Sequence, residues 1–416
     1  MKIAVWHNLP SGGAKRALYY HVRGLAARGH ELSCWSLDTA DHSFLPLSAF
    51  APERIVPTET NGGPRGTFMR RLAPHYSAMV EQLRRFDDAC RRCAREIEEG
   101  NFDLLFANSS LNFYVPYVLR HLRMRKVLYL QEPGRYLYEA RPVLPWVETA
   151  PDDLRPASLL RPRRWFTTWP NLQSLRLQAK QEWLNMQACD RVLVNSYFSR
   201  ESVLRSYGVD ARVCYLGVDT QLFRNLDLER ERFVVGLGSF DAIKGIELAI
   251  LALSLLAEPR PPLVWIANSG SEAYQQRMNT LARSLGVDLR VRMGISDDEV
   301  VETLNRAALL ICTSRLEPFG FAPLEANACG LPVVAIAEGG LRETVSDGLN
   351  GFLVQPDVAS IARATSQLLE KPALARQMGD QAIDYVRENW TVEHSIDRLE
   401  AELLEVAASN LPITRS

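Results

Sequence analysis

The stretch Ser314-Arg315-Leu316-Glu317-Pro318-Phe319-Gly320-Phe321-Ala322-Pro323-Leu324-Glu325-Ala326 combines a loop rich in proline and glycine with the start of a helix. The apolar run from Leu309 to Thr313 precedes it and predicts a buried strand. Pro323 is of a type favoured at the first helical position, so we predict a helix over 323–328 with Glu325 in its first turn. Because ligands of open parallel α/β sheets bind where strands end, this stretch predicts a ligand site.

The chemistry of this loop suits a sugar joined to a diphosphate. A helix N-terminus offers free N–H groups and the positive end of a dipole to phosphate oxygens. Glu317 and Glu325 can accept hydrogen bonds from sugar hydroxyls. Taken singly, Glu325 would only complement the helix dipole and Glu317 would be a surface acid. Their occurrence together in this loop favours a binding site.

Strand-like and helical patterns alternate on both sides of the stretch, which is typical of parallel α/β structure. The predicted strands are 3–6, 31–36, 104–107, 126–130, 191–195, 233–237, 263–267, 290–292, 309–313, 333–335 and 351–354. The predicted helices are 15–28, 68–99 after Pro74, 247–257, 273–285, 297–307, 323–328 and 392–408. We therefore expect two doubly wound, Rossmann-like domains, at 1–222 and 223–389, with a helix at about 390–410 that returns to the first.

Three further glycine-bearing loops follow predicted strands. The loop from Gly236 to Gly245 carries Lys244, a point charge suited to phosphates. The dinucleotide-binding pattern G-x-G-x-x-G requires a third glycine, and this loop has Asp241 at that position. This disfavours a dinucleotide ligand such as NAD. Gly12 and Gly13 allow close approach of a ligand, and the segment 337–343 repeats the pattern. Together the four loops predict one cleft between the domains.

Composition excludes several classes of protein. The 416 residues suffice for two domains, and a formal net charge of −1 gives no basic field for nucleic acid. The N-terminus lacks the pattern of a signal peptide, and the most apolar stretch, 246–257, is too short to cross a bilayer. We expect a cytoplasmic protein. The seven cysteines include Cys90 and Cys93, which we interpret as incidental thiols on a helix, because no further metal ligands follow at suitable spacing.

Two segments leave alternatives open. The predicted helix 68–99 carries Arg84, Arg85, Arg91 and Arg92 on one face, which suits an anionic membrane or a charged acceptor. Acidic residues four positions earlier favour a solvated helix, and this interpretation has the greater weight. A peripheral association with the inner face of the membrane is the alternative. The segment 155–170 mixes arginines with aromatic residues and suits either an interface or an ordinary loop.

The quoted stretch resembles the family 4 retaining glycosyltransferases, whose E-x7-E spacing is matched by Glu317 and Glu325. The resemblance covers nearly the whole chain and is strongest over 233–356. It implies the GT-B fold, in which two Rossmann-like domains enclose an interdomain cleft. Further matches are P-V-V-A at 332–335, G-G-x-x-E at 339–343, D-G-L-N-G at 347–351, N-S-Y-F-S at 195–199 and G-V-D at 217–219.

The resemblance also implies roles. Glu317 would contact donor sugar hydroxyls, Glu325 the nucleotide ribose and Lys244 the diphosphate. The donor would be a nucleoside-diphosphate sugar, with no cofactor and no bound metal, and the acceptor a carbohydrate or a lipid-linked glycoconjugate. The expected reaction is transfer of a hexose with retention. The catalytic residues would be Glu317, Lys244 and Gln131. The residues assigned to substrate binding besides Glu325 are Gly12, Gly13, Ser239, Phe319, Gly320, Phe321, Leu324, Gly340 and Glu343.

Two positions depart from the family pattern. Ser239 stands where relatives usually have an arginine, and Arg342 or Lys15 are both candidates for the missing cation. Gln131 stands where relatives often have a catalytic-centre histidine. Glutamine can form hydrogen bonds but cannot carry a proton between groups. These departures keep open a second hypothesis, that of a non-catalytic homologue which binds a nucleotide sugar or a partner protein. The remaining histidines, including His7 and His121, are expected to be structural.

Overall fold

The computed structural model describes residues 1–58, 74–111, 113–138 and 162–409, without the side chains of 74–75 and 162–172. It divides into two compact units. The first unit is Met1–Val194 with Arg200–Val213 and Leu399–Ser416, and the second is Asn195–Ser199 with Cys214–Arg398. The chain thus leaves the first unit after Val213, earlier than the predicted boundary at 222.

The described part of the first unit contains a parallel seven-stranded sheet in the order β3-β2-β1-β4-β5-β6-β7. Its strands are β1 (Lys2–Asn8), β2 (Glu31–Leu37), β3 (Glu53–Val56), β4 (Leu104–Ser110), β5 (Arg125–Tyr129), β6 (Arg191–Val194) and β7 (Arg212–Val213). Its helices are α1 (Gly13–Ala27), α2 (Pro74–Glu99), α3 (Val118–His121), α4 (Arg135–Tyr138) and α5 (Pro162–Met186), and α6 (Tyr197–Tyr207) belongs to it from Arg200 onward.

The central strands β1 and β4 are buried almost throughout, and they are mainly apolar until their carboxyl ends, as expected of strands covered on both faces. Ile3 to Trp6 are fully buried. Trp6 and Trp35 pack in one core with Cys90 and Cys93 of α2. Burial raises the pKa of Cys93 to about 12, so this thiol is an inert part of the core. Among the described residues, no group of three or more His, Cys, Asp or Glu side chains is arranged to hold a metal ion.

The second unit contains a parallel sheet of six described strands in the order β10-β9-β8-β11-β12-β13. Its strands are β8 (Val234–Leu237), β9 (Leu263–Ala267), β10 (Leu289–Met293), β11 (Leu309–Cys312), β12 (Val333–Ile336) and β13 (Gly351–Val354). Its helices are α7 (Ile246–Ser254), α8 (Glu272–Ser284), α9 (Asp297–Arg306), α10 (Phe321–Ala328), α11 (Leu341–Thr344), α12 (Val358–Glu370) and α13 (Pro372–Asn389).

The last described helix, α14 (Val392–Ala408), coincides with the predicted 392–408. Its C-terminal part, from Leu399, belongs to the first unit, where its acidic residues meet the ends of the sheet. Glu400 pairs with Arg28 at 2.6 Å and with His30 at 2.7 Å. Further along, Arg191 pairs with Glu402 at 2.5 Å and Arg212 with Glu405 at 2.6 Å. Ion pairs from consecutive turns therefore fix this helix end.

Helix α2 has the ion pairs of a solvated surface helix. Arg85 pairs with Glu81 at 3.3 Å and Arg91 with Asp87 at 3.0 Å, as the sequence spacing predicts. The third predicted pair, Asp88–Arg92, does not form, because Arg92 donates to the carbonyl of Pro57 instead. None of the described helices is both long and apolar enough to cross a membrane. The segment 155–170 lies outside the residues whose side chains are described, and 68–73 lie outside the described chain.

Candidate functional site

The loop between β8 and α7 places Lys244 beside Glu317. The Asp241 carboxylate accepts hydrogen bonds from Ile243 N–H at 3.0 Å and from the Ser239 hydroxyl at 2.6 Å, which closes a short turn of 3-10 helix over Ala242–Lys244. The Thr313 hydroxyl, just after β11, then donates to the Lys244 carbonyl at 3.0 Å. Lys244 Nζ donates to Glu317 Oε2 at 2.7 Å. The two residues that the sequence assigned to the diphosphate and the sugar therefore meet.

This ion pair is accessible but not free in water. The side chains of Lys244 and Glu317 are 21% and 18% exposed. Burial alone would lower the pKa of Lys244, but the adjoining Glu317 carboxylate raises it above its ordinary value. The ammonium is therefore charged at neutral pH, and it lies where a ligand oxygen can replace Glu317 as its partner.

The loop that carries Glu317 is held in a strained shape by Glu338. Arg315 Nε donates to Glu338 Oε2 at 2.7 Å, and Leu316 N–H donates to the same oxygen at 3.3 Å. Leu316 has φ 52°, a left-handed conformation that a leucine adopts only under constraint. Backbone strain of this kind persists where the surroundings over-determine it, often at functional sites. Glu338 is not among the residues predicted for the site, although an acid directly before the Gly339-Gly340 pair is a visible signal in the sequence.

Gly339 and Gly340 allow the loop of β12 to pack directly on the Glu317 loop. Gly340 N–H donates to the Glu317 carbonyl at 2.7 Å. A Cβ atom would lie 2.4 Å from the Glu317 carbonyl oxygen at Gly339, and 2.4 Å from the Pro318 carbonyl oxygen at Gly340. These glycines therefore allow the two loops to pack closely, and Gly340 lies directly against the Pro318 main chain.

Helix α10 begins earlier than the sequence predicts. Gly320 adopts φ 105° and is its N-cap, so Phe321 is the first helical residue and Pro323 the third. Proline is tolerated there because the first-turn N–H groups have no intrahelical acceptor. The predicted first-turn position of Glu325 is therefore wrong, and no acid lies in that turn. Glu325 is buried within the second turn, with 7% exposure.

The predicted site residues around α10 differ in how deeply their side chains are buried. Leu324 is fully buried and Phe319 nearly so, which leaves Leu324 as a core residue. The Phe319 ring packs edge-on against Phe321, with centroids 5.2 Å apart. Phe321 is half-buried and is the more accessible of the two rings.

Glu343 is engaged by the protein itself. Its carboxylate accepts from the N–H groups of Tyr197 at 2.9 Å and Phe198 at 3.0 Å, at the start of α6. The Tyr215 hydroxyl donates to it at 2.8 Å. A carboxylate at a helix N-terminus satisfies free N–H groups, so in this structure Glu343 caps α6. Arg342, one of the two candidate cations, is exposed in the same unit, and its Nε lies 3.5 Å from the Gly339 carbonyl oxygen.

The carboxyl edge of the first sheet holds the remaining predicted residues. Gly12 has φ 136°, is the N-cap of α1, and a Cβ there would meet nothing within 4 Å. Gly13 is the first residue of α1 and is exposed. Gln131 is half-buried just after β5. Unlike Gly339 and Gly340, Gly12 thus leaves open space beside the backbone.

Lys15, the other candidate cation, is buried in the first unit. It has no exposed surface, and its Nζ lies 3.4 Å from His7 Nε2. His7 in turn lies 3.3 Å from Glu53, and its Nδ1 accepts from Leu9 N–H. Burial lowers the pKa of His7 to about 4, so the ring is neutral and donates to Glu53. Since Lys15 does not reach the surface, it does not offer its charge to a ligand in this structure.

Comparisons with known proteins agree with this geometry. The model of Glycosyltransferase Family 4 matches residues 11–222, and that of the Glycosyl transferases group 1 matches residues 218–385. The chain belongs to glycosyltransferase family 4. This assignment confirms the resemblance on which the site residues were chosen.

The family 4 chain is also similar to proteins of known name. D-inositol 3-phosphate glycosyltransferase of Acidothermus cellulolyticus is 33% identical over 233 residues, which cover 50% of this chain and 52% of the relative. The chain spans about half the length of the curated relatives it matches.

Two solved structures match nearly the whole chain. Sucrose-phosphate synthase of Thermosynechococcus elongatus has a TM-score of 0.72 at 21% identity, covering 98% of this chain and 100% of that one. Anabaena HepE, solved with UDP and glucose, has a TM-score of 0.71 at 18% identity, covering 97% of this chain and 99% of that one. At such identities the likeness shows the fold alone, and that fold is GT-B, as predicted.

Proposed function

We propose that this family 4 protein transfers a hexose from a nucleoside-diphosphate sugar to a carbohydrate or lipid-linked acceptor, with retention and without a bound metal. The observation that carries the proposal is the Lys244–Glu317 pair, 2.7 Å long and accessible, beside the N-terminus of α10. A cation and a helix N-terminus stabilise a diphosphate, and a carboxylate orients sugar hydroxyls.

Under this proposal, the second unit places positive charge beside the phosphate on which the reaction creates negative charge. As the bond from C1 of the sugar to the diphosphate oxygen breaks, negative charge grows on the leaving phosphate. The Lys244 ammonium and the first-turn amides of α10 lie ready to stabilise that charge without rearrangement. Glu317, released from Lys244 by the incoming phosphate, then accepts from hydroxyls of the sugar.

Retention follows if the acceptor attacks C1 on the face from which the diphosphate departs. The acceptor oxygen forms the new bond to C1, and its proton passes to an oxygen of the leaving phosphate. This route needs no protein base, which is compatible with Gln131, because a glutamine side chain does not take up a proton.

Calorimetric titration of the purified chain with UDP, GDP, ADP, dTDP and CDP, in the presence of EDTA, tests the donor site. We expect one nucleotide to bind clearly more tightly than the others. UDP-glucose is the first donor to try, because HepE was solved with UDP and glucose. Binding of none, or binding only after divalent metal is added, would contradict the proposal.

A second function is favoured by Ser239 and Gln131, which replace an expected cation and an expected histidine. Under that hypothesis the chain binds a nucleotide sugar without turnover. The substitution Glu317→Gln separates the two: an enzyme should lose about 100-fold or more in transfer rate while nucleotide binding changes little. Glu302→Gln, which removes an exposed carboxylate of α9 that pairs with Arg306, is the matched control. Wild-type protein that binds nucleotide but transfers no sugar would favour the non-catalytic homologue.

A further inference from the structure

An exposed aromatic pair lies at the carboxyl edge of the first sheet. Tyr114 follows β4 and Tyr136 lies in α4, just after β5. Their ring centroids are 6.4 Å apart, and the rings are tilted by 52°. Tyr136 is 45% exposed, an unusual exposure for so large a ring, and Tyr114 is half-buried. The two rings form a shallow aromatic corner, called here the tyrosine platform.

Buried polar groups hold the exposed ring of Tyr136 in place. Gln178 of α5 is 1% exposed, and its amide donates both to the Tyr136 hydroxyl oxygen and to Glu182 Oε1, the latter at 3.2 Å. Burial raises the pKa of Tyr136 to about 12. The hydroxyl end of this residue is therefore anchored inside while the ring faces outward. Anchoring of this kind reduces the entropy lost when a ligand packs on the ring.

The same carboxylate holds the other half of the platform. Glu182, with no exposed surface, accepts from Tyr114 N–H at 3.2 Å and from the Tyr207 hydroxyl at 2.8 Å. Gly134 packs against the Tyr114 ring, since a Cβ there would lie 3.2 Å from Tyr114 Cδ2. A buried carboxylate thus joins the ends of β4 and β5, the region where ligands of parallel sheets bind.

In the loop that carries Tyr136, the described charged side chains are paired with each other. Arg135, the basic residue of the α4 turn, is 4% exposed and pairs with Glu132 at 2.7 Å. Gln131, in the same loop, offers an uncharged donor and acceptor. An aromatic face with neutral hydrogen-bonding groups fits the C–H-rich face of a pyranose ring better than a phosphate.

We infer that the tyrosine platform binds the neutral pyranose ring of the acceptor, with the Tyr136 ring as the stacking surface and Gln178 and Glu182 as positioning residues. This inference rests on the proposed glycosyl transfer and adds a substrate class to it. It distinguishes this chain from an enzyme whose acceptor is recognised by charge, such as an inositol phosphate.

The test combines saturation-transfer NMR with kinetics, using methyl α- and β-pyranosides of glucose, galactose, mannose and N-acetylglucosamine and an inositol phosphate as probes. We expect saturation on the axial C–H protons of at least one pyranoside with wild-type protein. Tyr136→Ala should abolish it and raise the acceptor KM about tenfold. Tyr136→Phe keeps the ring and should retain most of the signal. Trp183→Ala, which removes another exposed aromatic (47% exposed) of the same unit, is the matched control and should change neither.

The readouts separate the failure of this inference from that of the proposed function. Donor binding and hydrolysis of the donor without acceptor should be unchanged by Tyr136→Ala, and their absence in wild-type protein would defeat the proposed function itself. A normal acceptor KM in Tyr136→Ala would overturn the platform as the acceptor site. So would a wild-type protein that transfers saturation to no pyranoside, or that prefers inositol phosphate to every neutral sugar.

Discussion

Each unit of the molecule has a glycine loop and a lysine after its first strand, yet the two lysines differ in every physical respect. Lys244 is partly exposed, pairs with Glu317 at 2.7 Å and has a raised pKa. Lys15 has no exposed surface, lies 3.4 Å from a neutral histidine, and burial lowers its pKa. Similar sequence contexts thus produced a cation that can bind a ligand and a cation that belongs to the core.

Two glycines of the site loops, Gly12 of the first unit and Gly340 of the second, differ in a similar way. Gly12 needs glycine for its backbone angle, φ 136°, and has open space around it. Gly340 has φ −69°, which any residue can adopt, but it lies against the Pro318 carbonyl. A glycine pair after a strand therefore indicates either room for a ligand or close packing of two loops, and only the structure distinguishes them.

The largest expected effect separates the lysines. Lys244→Met should lower the transfer rate about 100- to 1,000-fold, because it removes a preorganised charge from the developing phosphate. Lys15→Met should leave the rate within about threefold and leave stability equal or higher, since an apolar side chain replaces a poorly paired buried charge. Steady-state kinetics and thermal unfolding measure both. Comparable losses of activity in the two variants would contradict this difference and would indicate that Lys15 also binds the phosphate.

The next prediction compares the stabilities of alanine variants of the two glycines. Gly340→Ala should lower the free energy of unfolding by about 3 kcal/mol, because its Cβ would overlap backbone atoms that side-chain motion cannot relieve. Gly12→Ala should cost about 1–2 kcal/mol from backbone strain alone. Gly348→Ala is the control for strain without contact, since Gly348 has φ 78° and nothing within 4 Å. Denaturant unfolding gives the order, and a Gly12 variant as unstable as the Gly340 variant would contradict the packing argument.

The last prediction concerns how the stability of the protein depends on pH through His7, which lies beside Lys15. The folded state lowers the pKa of His7 from 6.5 to about 4, so the unfolded chain binds more protons between these values. The stability contributed by neutral His7 is complete above pH 6.5 and is lost as the pH falls through 4, by up to about 3 kcal/mol. Glu53, whose pKa is lowered to about 2, adds a loss only below its ordinary value of 4.5.

Thermal unfolding of wild type and His7→Gln, measured from neutral pH to below pH 4, gives the contribution of His7 to stability as a difference between the two proteins. The variant should start less stable at neutral pH and lose less on acidification. His121→Gln, which changes a half-buried histidine paired with Asp87, provides the control. Parallel curves for wild type and His7→Gln would show that the ring is not neutral in the folded protein.

The sequence predicted most of the strands because these are short, continuous apolar runs buried on both faces. It missed β3, Glu53–Val56, whose charged first half hides an edge strand, and β7, which has only two residues. It placed the start of α10 too late, because the left-handed angle of Gly320 is not visible in residue type. It found Glu317 and Lys244 through the family resemblance. The buried state of Lys15 could not be foreseen, since lysine is almost always exposed.

The return of the chain at Leu399 has a consequence for biosynthesis. All residues of the second unit, up to Arg398, leave the ribosome before the segment that completes the first unit. That segment brings Glu400, Glu402 and Glu405 to arginines already synthesised at 28, 191 and 212. A nascent chain stalled before Leu399 therefore has a second unit complete in sequence and a first unit with several arginines that lack their acidic partners. In this protein the unit that holds residues 1–194 is therefore completed only after the second unit has been synthesised.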